Sequence, residues 1–167
     1  MKGKRAALMG LLTAAAFALS YAEHLLPLPL PVPGIKLGLA NLVTLFALYT
    51  LGARHAAMIV TARCLLAAVL FGGPVQLLLS LSGGMLAVLA MALLRPSRRV
   101  TAYGVSVAGA AAHSLGQVLA AMTLMSAPGL AAYLLLLWPV SIVTGTLVAL
   151  AYGWGAPLLK KAFGYIG

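Results

Sequence analysis

The sequence contains no aspartate and one glutamate, Glu23, against eleven lysines and arginines. That absence excludes a paired-carboxylate acid–base centre and an aspartate-rich magnesium site for diphosphate chemistry. A single cysteine, Cys64, excludes an intramolecular disulfide or a cysteine metal cluster. No GxxxxGK phosphate loop occurs, which excludes ATP hydrolysis by that route. His24, His55 and His113 are dispersed, and a metal set drawn from Glu23, His24 and His113 is a remote option. The residues call for no cofactor and no intrinsic catalysis. Charge of any kind is scarce: 7% of residues carry it, where a soluble domain has about a quarter.

Hydrocarbon takes that place. Hydrophobic residues make up 63% of the chain and form runs of about 18–25 residues, long enough to cross a bilayer core. The expected fold is an all-α integral membrane domain over residues 1–167, a compact bundle of six transmembrane helices. The spans fall at about 6–24, 35–52, 55–72, 75–94 and 100–126, with a sixth ending near Tyr152. "FGGP" (Phe71–Pro74), "RPSRR" (Arg95–Arg99) and "SAPG" (Ser126–Gly129) mark breaks between them. No linker, sequence repeat or soluble domain interrupts them.

The net charge of +10 does not signal nucleic acid, because the basic residues form short clusters between spans rather than a stripe. Lys2, Lys4 and Arg5, then Arg54, then Arg95, Arg98 and Arg99, then Lys160 and Lys161 fall on alternate loops and at the termini. This is the positive-inside pattern with both termini cytoplasmic. The first span also resembles a secretory signal peptide ending before Glu23; we read it as an uncleaved helix. The tail "GWGAPLLKKAFGYIG" reads as a short amphipathic segment at the inner interface.

Polar residues inside such spans need a reason. Placing an arginine at a span centre costs about 2.5–3.5 kcal/mol, and Arg63 lies near the middle of span three. His113 and Gln117 are four apart in span five and share a helical face, with Ser114 beside the histidine. Asn41 and Lys36 lie at the outer end of span two, Glu23 at the outer end of span one, and Gln76 at the start of span four. Tyr133 and Trp138 fall outward of centre in span six. If the bundle packs tightly, these groups converge in the outer half, as a pocket for a small molecule requires. On this reading Arg63 faces a ligand or bridges the core. Glu23 offsets Lys36 at the rim, beside a loop stiffened by prolines. Each residue also has a structural use: Arg63 on carbonyls or Glu23, His113, Asn41 and Gln117 in interhelical hydrogen bonds, Glu23 and His24 at the headgroups. Ala14, Ala18 and Ala22 add a small-residue stripe to span one, suited to close approach by another helix.

"PLPVPGIKLGLANLVTL" (Pro29–Leu45), Arg63, "LLLSLSGGMLAVLAM" (Leu77–Met91) and "YGVSVAGAAAHSLGQVLAA" (Tyr103–Ala121) resemble the heptaprenyl diphosphate synthase component I family, also called the Gx transporter family. The resemblance covers nearly the whole chain. Ser114 stands where the family pattern often has asparagine. The synthase label implies a membrane accessory partner of a separate polyprenyl diphosphate synthase catalytic subunit. The transporter label implies a likeness to substrate-binding (S) components of energy-coupling factor transporters in a prokaryotic cell membrane. There Ala14 and Ala18 would dock a transmembrane coupling protein carrying two ATPases. From these we expect capture of a small anionic or zwitterionic nutrient, a vitamin or precursor, by Arg63, Asn41, His113, Gln117, Lys36 and Glu23. The accessory synthase subunit is the alternative.

Overall fold

Glycine and proline decide where the apolar stretches stop. In the computed structural model, which describes residues 2–25, 36 and 38–163, they separate six α-helices. These are α1 (Lys2–Leu25), α2 (Asn41–Leu51), α3 (Ala53–Ala67), α4 (Gly73–Leu94), α5 (Ala102–Met125) and α6 (Leu134–Phe163). A π-helical turn, Ala68–Gly72, continues α3, and a 3-10 segment, Pro128–Tyr133, leads into α6. The described residues include no strand.

Among the described residues, four stretches are long and apolar enough to cross a membrane: Gly3–Leu25, Ala53–Leu94, Ala102–Met125 and Pro128–Leu158. The second is 42 residues long, but it folds back on itself. Gly73 takes φ 69°, a conformation only glycine adopts cheaply, and Gly84 of α4 then lies against Val60 and beside Arg63 of α3. The break expected at "FGGP" is therefore a hairpin between antiparallel arms. Gly52, at φ 90°, makes the corresponding tight turn between α2 and α3.

Two expected spans are corrected. Span two does not begin as a helix near residue 35. Lys36 and Gly38 are non-helical, and α2 has 11 residues, about 16 Å of helix against a hydrocarbon core of about 30 Å. The N–H groups of Gly38 and Leu39 bond to Glu23 instead of helical carbonyls, so the helix starts only at Asn41. The proline loop expected to stiffen this entrance lies outside the described residues. Span six, in turn, does not end near Tyr152 with a separate tail, because α6 runs on to Phe163. Tyr152 stacks on Phe46 and Tyr49 of α2, with ring centroids 4.9 and 5.3 Å apart. A Cβ on Gly155 would sit 2.6 Å from the Phe46 ring. Gly155, which looks like a break in the sequence, serves this packing.

Close backbone approach holds the remaining helices. Across the α4–α5 contact, a Cβ on Gly116 would lie 2.7 Å from the Ser82 carbonyl oxygen, and Gly109 sits against Met91. Gly145 of α6 meets Val107 of α5 in the same way. These pairings run antiparallel and divide the interior. One end is closed by hydrocarbon, with Leu8, Leu45, Leu48, Ile59, Val60 and Val105 buried together, and Arg95 caps it over the Tyr49 ring at 5.2 Å. Toward the opposite end polar side chains are buried as well, beside a smaller apolar group around Leu79 and Val118.

Candidate functional site

The inward face of α1 reads Leu8, Leu12, Ala16, Ser20, Glu23, all buried at the three- and four-residue spacing of one helical stripe. Its last two members open the polar region. Glu23 Oε1 accepts hydrogen bonds from the backbone N–H of Gly38 at 2.6 Å and of Leu39 at 2.8 Å. These are the donors left free ahead of a helix start, and a carboxylate bonds them strongly. Glu23 thus fixes the entry to α2. Lys36 stands close enough to Glu23 for their charges to interact, and its ammonium donates a hydrogen bond to the Ser20 carbonyl at 3.3 Å. It also sits 5.6 Å from the centroid of the Phe71 ring, within cation–π range.

Phe71 occupies that position because the π-helical turn at the end of α3 carries it inward toward α1. Tyr21 and His24 pack on the same ring, with centroids 5.4 and 4.8 Å away. His24 is exposed, and Glu23, His24 and His113 do not assemble as a metal-holding group among the described residues.

Arg63, 2% exposed, reaches back from α3 to α1. Its Nη1 donates to Ser20 Oγ at 3.0 Å, while Nε and Nη2 have no partner among the described residues. Beside it, Gly83 and Gly84 of α4 present bare backbone. A Cβ on Gly84 would lie 3.3 Å from Arg63 Nη2, and one on Gly83 would lie 2.8 Å from Gln117 Cγ and 3.2 Å from His113 Cε1. From the other side, Gly38 brings Asn41 and His113 together: its Cβ would lie 2.9 Å from Asn41 Nδ2 and 3.2 Å from His113 Cδ2. The backbone N–H of Lys36 donates to Gln117 Oε1 at 3.3 Å. Gln76 and Ser80, one turn apart on the inward face of α4, extend the group and are buried with it.

Asn41, Arg63, His113, Gln117, Lys36 and Glu23, predicted from four spans, therefore lie in one buried cluster among α1 to α5. Tyr133 and Trp138 do not join it. Trp138 is 47% exposed and Tyr133 packs on the apolar group around Leu79 and Val118. Ser114 turns the other way, toward α6, where its hydroxyl meets Ser141 Oγ at 2.7 Å. Ala14 and Ala18 are exposed on the outer face of α1.

Sequence reasoning passed over Ser20 and Ser80 as participants. Ser20 was findable as a member of the inward stripe of α1, and Ser80 as the residue one turn after Gln76. Eight buried side-chain atoms of six residues lack a hydrogen-bond partner among the described residues: both ends of Asn41, Arg63 Nε and Nη2, Gln76 Nε2, Ser80 Oγ, His113 Nδ1 and Gln117 Nε2. Each such group costs about 1–3 kcal/mol if left unpaired. By contrast, a groove of about 580 Å³ on the outer side of α4 and α5 is lined by Met85, Leu86, Leu89 and Leu119. Its hydroxyls, Ser82 and Thr123, bond carbonyls of their own helices, so it offers little polar chemistry.

No curated protein and no solved structure matches the chain. The family model described as heptaprenyl diphosphate synthase component I matches residues 12–153, a stretch that contains every residue of this cluster. On that match, the chain belongs to the heptaprenyl diphosphate synthase component I family.

Proposed function

We propose that the chain is a non-catalytic, membrane-embedded component of a heptaprenyl diphosphate synthase. The observation that carries this reading is the family match over residues 12–153 in a chain with no aspartate. Such a chain has nothing from which to build the acidic magnesium site of prenyl transfer, so a separate subunit performs the chemistry. In this reading the chain crosses the membrane six times, with α3 and α4 as two of the crossings. The basic end, with Arg54 and Arg95, faces the cytoplasm by the positive-inside rule and meets the catalytic subunit there. The polar cluster in the opposite half holds a small polar group.

The test is co-expression of the full chain with a polyprenyl diphosphate synthase catalytic subunit. Polyprenyl diphosphate formation in membranes, with product length as the readout, should require this chain or change with it. Equal rate and equal product length without the chain would end the proposal.

The unpartnered buried polar atoms also favour a second reading, a substrate-capture component of energy-coupling factor transport. There the cluster takes a nutrient, and the exposed Ala14 and Ala18 meet a coupling protein. Ala14→Leu with Ala18→Leu should abolish co-purification with a coupling protein and leave ligand binding intact. Loss of binding in that variant would count against it.

A further inference from the structure

The unpartnered atoms of the cluster are strongly biased toward donation. Arg63 Nε and Nη2 and the amide nitrogens of Asn41, Gln76 and Gln117 can only donate. The orientation of the Gln117 amide is set by its Oε1, which already accepts from the Lys36 backbone. Asn41 Oδ1 is the one obligate acceptor of the set, while Ser80 and His113 serve either way. All six side chains are more than nine-tenths buried.

Two cations, Arg63 and Lys36, adjoin this set, and the one carboxylate is already held by backbone N–H groups. A carboxylate ligand offers about four lone-pair sites, fewer than half the N–H groups that Arg63 and the three amides direct here. A diphosphate offers enough oxygens to receive them. Gly83, Gly84 and Gly38 let these groups pack directly on backbone: side chains there would crowd Gln117, Arg63 and Asn41 respectively.

We propose that Asn41, Arg63, Gln76, Ser80, His113 and Gln117 form a binding site for a diphosphate group, carried on a prenyl lipid or free. The inference deepens the synthase-component reading and rests on it. Arg63 is the anchor, fixed by its Nη1 bond to Ser20 with its remaining edge presented to two oxygens in the bidentate manner of guanidinium.

Isothermal titration of the purified full chain in detergent tests it, using inorganic diphosphate, farnesyl diphosphate, farnesol and succinate. Both diphosphates should bind, and farnesol and succinate should not. Much tighter binding of farnesyl diphosphate supports the lipid source, and equal binding supports the free one. Arg63→Gln should weaken diphosphate by about tenfold to a hundredfold, the range of a charge-assisted hydrogen bond, with Arg63→Lys restoring part of it. Should Arg63→Gln fail to fold, Asn41→Leu with Gln117→Leu provides the same test without touching a charge. Absence of binding by either diphosphate overturns the site, as does unchanged binding in a folded variant. Co-purification with the catalytic subunit separates the two proposals. If it persists while diphosphate does not bind, the site is wrong and the partnership stands; the reverse result removes the partnership and keeps the site.

Discussion

On the side of α5 that meets α6, Ser114 bonds Ser141 at 2.7 Å, Ser141 passes a bond on to the Leu137 carbonyl at 2.7 Å, and Ser106 donates to the Gly145 carbonyl at 2.7 Å. On the side that meets α2 and α4, His113 Nδ1 and Gln117 Nε2 reach no partner among the described residues. Both faces are buried and both are polar, so burial does not separate them. The α6 side uses small hydroxyls that a neighbouring helix satisfies locally. The other side uses long side chains that gather around Gly38, Gly83 and Gly84 with Asn41 and Arg63. A buried polar group that only holds helices together is completed by the protein itself. A group left incomplete in the same helix asks for a partner from elsewhere.

The comparison fails altogether if α5 cannot reach α4. Gly116→Leu would drive a side chain into the Ser82 and Gly83 backbone, which has no flexible end to move aside, and overpacking of this kind costs about 1–3 kcal/mol or more. We expect little or no monodisperse protein by size-exclusion chromatography. Next in size is Glu23→Ala, which removes the acceptor of two backbone N–H groups and should cost about 2–3 kcal/mol. Hydrogen exchange at Gly38 and Leu39 should accelerate selectively; a uniform acceleration would assign Glu23 a global role instead.

Asn41→Leu addresses the incomplete face directly, because neither end of the Asn41 amide has a partner among the described residues. Removing it should leave stability unchanged or raise it by about 1 kcal/mol, while diphosphate binding is lost. A loss of stability would make this residue glue like the serines. The smallest effect belongs to the completed face. Ser114→Ala should cost about 0.6 kcal/mol, typical of an interhelical hydrogen bond in a membrane, and leave binding untouched, as thermal unfolding and titration would show.

Much of this was legible before any coordinates. Hydropathy marked the apolar stretches, and glycine and proline marked the turn at Gly73, because both signals are local. The four-residue spacing of His113 and Gln117 put them on one face, and the cost of burying Arg63 made it conspicuous. What escaped is tertiary. The charges of Glu23 and Lys36 are visible in a sequence, whereas the N–H donors of Gly38 and Leu39 that Glu23 also bonds are shared by nearly every residue and become special only where a helix begins. Ser20 has no hydropathy signal, and its importance comes from an arginine 43 residues away. Trp138 was expected in the polar half, yet it is turned outward, since direction follows from packing. The length of α6 was hidden for a similar reason: Gly155 looks like a stop until Phe46 is seen beside it.

The hydrogen bond from Lys36 to Gln117 joins residues 81 apart in the chain, and this constrains the order of biosynthesis. During synthesis, Arg63 has Ser20 available as soon as α3 enters the bilayer, but the amide that completes the cluster arrives only with α5. Until then the membrane holds an arginine and its polar neighbours without their last wall, a state best sheltered by the insertion machinery. A ribosome-arrested chain ending before Ala112 should therefore remain crosslinked to that machinery, and one extended past Met125, far enough for α5 to clear the ribosome, should be released.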